Sequence, residues 1–360
     1  MCGAMTPHAV STDAAQLAEI RREVTAALTK FLARQRAAFA EIGDDMLAPL
    51  DAAAGLLAGG KRLRPAFCYW GWRAAGGADC PEIYTAAAAL ELLQASALIH
   101  DDVMDASDTR RGQPAVHRQF ARRQELTGGP GAAQFGDGAA IVIGDMLLSW
   151  TNQLYHASGF PAGILARGLP AFDAMQTEVA AGQYLDILSQ ARVATSVAEA
   201  LRVITFKTTK YTIERPLQLG ASLAAEQYPS LSSYARPLGV AFQLRDDVLG
   251  VFGDPEQTGK PVTGDISEGK RTVLIALARQ SASTSQQAVL DRYLGDRSLT
   301  PAGAGEVRAV IAQTGALAQC EAMIAASVTD ALAALTEVRI TAEARDALAA
   351  LAVTATDRSG

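Results

Sequence analysis

Apolar residues return at spacings of three and four along most of this chain, beginning with Leu17, Ile20, Val24, Leu28 and Leu32. That is the period of a helix with one buried face. Alanine, the strongest helix former, supplies about one residue in five of the 360. Aromatics are only 6%, and the aromatic and β-branched runs that strands favour are scarce. With 49% hydrophobic residues the chain can bury a large core, so it reads as an all-α fold and not as a disordered chain.

The breaks in this pattern set the organisation. A helical stretch over 15–58 ends at Gly59-Gly60, where Lys61-Arg62-Leu63-Arg64-Pro65 follows. A long apolar helix is expected over 81–106, and further helices over 139–156, 169–189, 197–225 and 234–252. Residues 127–138, dense in Gly and Pro, read as the clearest loop, and 253–269 as a second, polar one. Residues 270–355 alternate helix with short breaks. Short connections and the lack of a fixed repeat predict one large helical domain over 15–356 behind a leader at 1–14.

A net charge of −6 and a pI near 5.4 argue against a nucleic-acid partner. Cys2, Cys68, Cys80 and Cys320 form no CxxC, and His8, His100, His117 and His156 form no HExxH. A disulfide scaffold and a structural zinc are therefore not expected, and a reducing cytoplasm suits the chain. The first residues lack the basic-then-apolar order of a signal peptide. The most apolar windows, 85–99 and 139–150, are interrupted by Glu91, Gln94 and Asp145, so no transmembrane segment is expected and the protein reads as soluble.

Chemistry concentrates where two apolar helices end. In Leu98-Ile99-His100-Asp101-Asp102-Val103-Met104-Asp105, Asp101 and Asp105 share one helix face, with Asp102 one step round. Phe242-Gln243-Leu244-Arg245-Asp246-Asp247-Val248-Leu249-Gly250 repeats the theme. Carboxylates at that spacing repel one another, and a helix C-terminus is already partly negative. A solvated acidic face is the ordinary outcome for such a run, but an acidic tip on a core helix needs a cation. All-oxygen sites suit Mg²⁺, which completes its shell with phosphate oxygens. Basic groups recur at Lys61-Arg62 and Arg64, Arg110-Arg111, Lys207, Lys260 and Lys270-Arg271; arginine grips phosphate bidentately and lysine as a point charge. Two anionic groups, one on metal and one on these cations, account for the set. No serine or cysteine nucleophile arrangement competes, and no GxxxxGK[ST] loop is present. Of the histidines only His100, beside Asp101, merits watching.

With these residues in hand, the chain resembles the trans-type (head-to-tail) isoprenyl diphosphate synthases of the polyprenyl synthetase family. Asp101–Asp105 is similar to that family's first aspartate-rich motif and Asp246–Gly250 to its second, with Gly60–Pro65 matching a GKRLRP segment and Phe242-Gln243 the FQ before the second motif. The resemblance implies a single bundle of antiparallel helices around a central substrate cavity, in a homodimer. It implies Mg²⁺ on Asp101, Asp105 and Asp246, supported by Asp102 and Asp247. It assigns Arg110, Lys207, Lys260 and Lys270 to the allylic diphosphate, with Thr208 and Gln243 facing the reacting carbons. Lys61, Arg64, Gln94 and Arg111 fall to isopentenyl diphosphate. The implied activity is condensation of isopentenyl diphosphate with an allylic diphosphate. A terpene cyclase handles one diphosphate and has no use for Lys61, Arg64 and Arg111. A non-catalytic partner subunit of a heteromeric synthase would not need both aspartate clusters. Two departures stand out: Gly250 replaces a third aspartate, and 127–138 is long for a connection.

Within that resemblance, the allylic tail is expected to grow from Asp101 toward the N-terminus of its helix. Ala97 and Ser96 are small and would let it pass, while Leu93 and Leu90 lie deeper and would stop it. Geranylgeranyl diphosphate (C20) is the expected product, with farnesyl diphosphate (C15) the alternative.

Overall fold

The computed structural model describes residues 7–192, 194–253 and 264–356, with side chains from Ala15 onward. Helix α1 (Pro7–Phe39) has its first turns inside the stretch read as a leader. A short 3₁₀ turn at Asp44–Met46 leads into α2 (Leu47–Leu57), then α3 (Leu63–Ala74) and α4 (Pro81–Met104). Pro81 opens α4 at a position where a missing N–H costs nothing. Its run of small and branched apolar residues, from Ile83 through Ala86, Leu90 and Leu93 to Ile99, is buried on nearly every side. α4 is long and apolar enough to cross a bilayer, yet 72% of its most apolar window lies buried inside the bundle. It packs against α1, α2, α3 and α6.

After α4 come two-residue antiparallel strands, β1 (Thr109–Arg110) and β2 (Gln113–Pro114), and then α5 (Val116–Leu126). The expected loop at 127–138 is shorter than its composition suggested: α6 (Ala132–His156) takes in everything from Ala132. Gly136 is a packing residue and not a loop residue. A Cβ there would stand 2.3 Å from the His117 carbonyl oxygen, so only glycine lets α5 and α6 approach this closely.

α7 (Ala162–Gln190) precedes α8 (Val197–Val203), which opens on a reciprocal cap between Ser196 and Glu199. The single helix expected over 197–225 has a different interior. α8 runs into a π-helical segment, Ile204–Glu214, and then α9 (Arg215–Ala224). The wider π turn re-aims side chains, and such segments concentrate at functional sites. The remainder is α10 (Ser232–Phe252), α11 (Gly264–Ser267), α12 (Val273–Ser281), α13 (Thr284–Tyr293), α14 (Pro301–Gln313), α15 (Ala316–Glu337) and α16 (Ala342–Thr356).

Two apolar cores result. The larger joins α1–α7, α9, part of the π segment, the first half of α10, the end of α15 and α16. The smaller joins α8, the start of the π segment, the second half of α10, α11–α14 and the first half of α15. α4 belongs to the first and the end of α10 to the second, so the two aspartate clusters are delivered by different cores.

Candidate active site

A cavity of about 290 Å³ opens at the seam between the cores. α4 contributes Gln94, Ala97, Leu98 and Asp101 to its wall, and α7 contributes Val179, Gln183 and Asp186. The π segment presents Lys207, Thr208 and Tyr211, and α10 presents Phe242, Gln243, Asp246 and Asp247. Arg64, Arg110, Thr212, Lys270, Arg271 and Thr272 complete the polar lining.

Asp101 is tightly held. Lys207 Nζ donates to its Oδ1 at 2.9 Å and Gln183 Nε2 at 3.0 Å, while Arg110 Nη2 reaches Oδ2 at 3.3 Å. Lys207 also donates to Asp186 Oδ2 at 2.6 Å. Burial alone would raise the Asp101 carboxyl, but Lys207, Lys270 and Arg110 hold it well below the usual carboxylate range. Asp102, one residue round the helix, is buried and accepts from Arg110 Nε at 2.9 Å. Neither Asp102 nor Asp105 lines the cavity wall, and Asp102 holds Arg110, which does. Asp105 is 3% exposed and its Oδ2 has no hydrogen-bond partner; Lys270 Nζ stands 3.8 Å away. Burial, with the charge of Asp101, pushes the Asp105 carboxyl up to about 6.

On the other side Thr208 Oγ1 donates to Gln243 Oε1 at 2.6 Å, and Gln243 Nε2 donates to Asp247 Oδ1 at 2.8 Å. Burial outweighs that hydrogen bond, and the charges of Asp265 and Asp246 add to it, so the Asp247 carboxyl rises to about 8. Lys270 sits between the clusters, 3.0 Å from Glu268, 3.6 Å from Asp265 and 3.8 Å from Asp105. Burial works against its charge, but these carboxylates hold its pKa well above the usual lysine value.

The donor set fits a divalent cation. The acidic groups offer carboxylate oxygens, Asp105 keeps a buried oxygen without a partner, and burial keeps a proton on Asp247 near neutrality. Among the described residues no three acidic, His or Cys groups converge on one point. Asp101, Asp105 and Asp246 would therefore hold such an ion jointly with oxygens of a bound ligand, as Mg²⁺ sites commonly do.

The remaining assignments divide. Arg64 lines the cavity, donates to Thr212 Oγ1 at 2.7 Å, lies 4.3 Å over the Tyr211 ring and keeps a buried Nε without a partner. Gln94 accepts from the Tyr211 hydroxyl at 2.9 Å. Lys61 and Arg111 are exposed and stand outside the cavity wall. Arg111 Nη1 clasps the Leu56 and Gly59 carbonyls at 2.8 and 3.0 Å, beside Lys61. Arg62, in the same basic run, is buried against Glu91 and shapes the turn. Lys260 lies outside the described residues. Of the three expected length-setting residues only Ala97 faces the cavity; Ser96 and Leu93 are buried elsewhere. At about 100° per residue Ser96 has turned roughly 140° from Asp101. His100 faces α6, 3.2 Å from the Ile141 carbonyl and 3.4 Å from Asp145.

Sequence reasoning missed Gln183 and Asp186, which fix Asp101 and Lys207. Their signal was a polar pair three residues apart in the apolar stretch of α7 over 179–188. It also missed Tyr211, Asp265 and Glu268.

Residues 48–313 match the polyprenyl synthetase family. The chain is 41% identical to the geranylgeranyl pyrophosphate synthase of Corynebacterium glutamicum, whose crystal structure is complexed with isoprenyl diphosphate and magnesium. That likeness covers 94% of this chain and 99% of that one, with a TM-score of 0.91. It is 32% identical over 243 residues to a short chain isoprenyl diphosphate synthase of Methanothermobacter thermautotrophicus, covering 67% of this chain and 69% of that protein. A geranylgeranyl diphosphate synthase of Sulfolobus acidocaldarius is 31% identical over 245 residues, with the same coverage of 67% and 69%. Because the matched region carries both aspartate clusters and every basic group that walls the cavity, this chain belongs to the polyprenyl synthetase family and is a trans-prenyltransferase.

Proposed function

We propose that this enzyme condenses isopentenyl diphosphate head-to-tail with dimethylallyl, geranyl or farnesyl diphosphate, releases diphosphate, and makes geranylgeranyl diphosphate as its main product. One observation carries the reading: Asp101 of the first cluster and Asp246 and Asp247 of the second face one cavity, with Arg110, Lys207 and Lys270 in the same wall and apolar residues beyond. The Corynebacterium glutamicum enzyme, bound to isoprenyl diphosphate and magnesium, supports Mg²⁺ as the metal. Bound Mg²⁺ supplies positive charge for the departing diphosphate.

The chain's own groups do the rest. Arg110 and Lys207 are fixed in advance by Asp102, Asp101 and Asp186. They are therefore aimed at the leaving group without reorganising as its charge builds. The allylic C–O bond breaks with its electron pair on diphosphate, and the isopentenyl double bond attacks the allylic carbon. A proton then leaves the new chain for a diphosphate oxygen. The unpartnered Nε of Arg64, with Gln94 in the same wall, supports a second anionic group there, and Lys61 and Arg111, outside the wall, add positive charge at the approach to it. Thr208 and Gln243 line the wall between the two substrates. Ala97, Leu98, Val179 and Phe242 receive the apolar tail and exclude the water that would quench a cation.

We further assign the active form to a homodimer in the cytoplasm. Phe135, Ile141 and Val142 stand exposed on α6 as an apolar strip for a second copy, and a reducing compartment keeps Cys68, Cys80 and Cys320 as free thiols. Incubating purified protein with Mg²⁺, isopentenyl diphosphate and each allylic primer, with products resolved by chain length, tests the reading. A C20 product is expected. A C15 product would make it a farnesyl diphosphate synthase, and the lack of any condensation would reject the activity.

A further inference from the structure

Gly250 occupies the position where a third aspartate of the second cluster would stand, four residues after Asp246 and on the same helix face. The space beside it is not open. A Cβ at Gly250 would lie 1.8 Å from Asp265 Oδ2, a carboxylate that enters from α11 and is 8% exposed. The other oxygen of Asp265 is 3.6 Å from Lys270 Nζ, and Lys270 is in turn 3.8 Å from the orphaned Oδ2 of Asp105. Gly250, Asp265, Lys270 and Asp105 thus form one line from the second cluster to the first.

We propose that Asp265 supplies the third carboxylate of the second cluster, seated in the volume that glycine at 250 leaves free. The inference rests on the diphosphate-binding reading above. A side chain at 250 would have to displace the Asp265 carboxylate, so the two positions are coupled: the helix carries no carboxylate there and α11 brings one. Asp265 serves as a positioning residue. It anchors Lys270 and adds negative charge beside Asp247, which lets the second cluster hold a divalent cation against a bound diphosphate. The same pair could instead be a packing device that merely docks α11 on α10, and the two roles separate experimentally.

The experiment measures Mg²⁺-dependent binding of inorganic diphosphate by calorimetry, alongside circular dichroism and the Mg²⁺ concentration needed for half-maximal turnover. Asp265→Asn keeps size and removes charge; Gly250→Asp with Asp265→Gly moves the carboxylate back onto the helix. Groups that support a metal site typically change affinity about 10–100-fold. Asp265→Asn should weaken Mg²⁺-diphosphate binding by that factor, and the double variant should recover most of it. A folded Asp265→Asn protein that binds like wild type overturns the proposal, and so does a folded double variant no better than Asp265→Asn. If wild-type protein itself bound no diphosphate with Mg²⁺, the prenyltransferase reading would fail instead.

Discussion

The two aspartate clusters look alike in sequence and differ in how the fold compensates them. Asp101 takes charge from Lys207, Arg110 and Lys270, and it is ionised in the protein alone. Asp247, buried at the end of α10, accepts from the neutral amide of Gln243 and holds a proton until about pH 8. The first cluster is wired into the larger core through α4, α7 and the π segment. The second is carried by the smaller core, where Lys270 is a cation that bears on Asp247. The contrast shows two carboxylates prepared differently: Asp101 orients the cations that grip a leaving group, and Asp247 lies buried beside a neutral amide and keeps its proton until positive charge or higher pH removes it.

The largest effect expected is on turnover. Asp101→Asn or Asp246→Asn should lower kcat about a thousandfold, since metal stabilisation of transition-state charge is worth several kcal/mol and each 1.4 kcal/mol is tenfold. Removing Mg²⁺ with a chelator should do at least as much. Near-normal turnover in either variant, at saturating substrate and metal, sinks the metal assignment for that cluster.

Stability without metal should separate the clusters by sign. Asp101→Asn leaves Lys207 paired with Asp186 alone and should cost about 1.5–3 kcal/mol, the range for a hydrogen bond to a charged group. Asp247→Asn should stabilise. The Asp247 carboxyl is raised in the folded protein, so its contribution falls as pH climbs from the unfolded value near 4 to about 8. The advantage of Asn should grow over that same window. Urea midpoints in the presence of chelator, taken at pH 5 and pH 8.5, measure both. Equal losses in the two variants would erase the contrast.

A smaller effect concerns Mg²⁺ affinity. Binding must displace protons from Asp105 below about pH 6 and from Asp247 below about pH 8. Affinity for Mg²⁺ with inorganic diphosphate should therefore rise with pH, by up to about tenfold per unit for each proton released. Calorimetry in buffers of different ionisation heat counts those protons. Asp247→Asn should flatten the slope between pH 7 and 8; an unchanged slope would place the titration elsewhere.

Much of this was legible in the sequence because it depended on local rules. The helical period and the alanine content gave the all-α class, and charges placed at the ends of apolar helices gave both clusters. What stayed hidden depended on distant contacts. Gly136 looked like loop chemistry because nothing local reveals the His117 carbonyl against it. The π segment keeps a helical pattern, so its widened turn left no periodic trace. Arg62 and Arg64 read alike as cations, and only packing sends one to Glu91 and the other to the cavity. Asp101 and Asp102 read alike as cluster carboxylates, and only packing turns Asp102 to Arg110 and away from the cavity wall.

Product length should show the smallest effect on rate and the finest test of how α4 is turned. Ala97 lies one turn before Asp101 and on its side of the helix, and it lines the cavity, as does Val179 of α7. One helical turn rises about 5.4 Å, close to one extended isoprene unit. Ala97→Phe should therefore place a ring where the second or third isoprene unit must pass, and shift the product from C20 to C15 or shorter. Turnover with dimethylallyl diphosphate should change little, because the first condensation needs only the space next to Asp101. Ser96→Phe, which from sequence alone was expected to shorten the product, should instead press a ring into packed interior. Overpacking of that kind costs about 1–3 kcal/mol of stability, and the product should stay at C20. Chain-length analysis of both variants decides between them. If Ser96→Phe shortened the product in a folded, active enzyme while Ala97→Phe did not, the tail would run along the other face of α4, and the cavity wall would no longer mark its path.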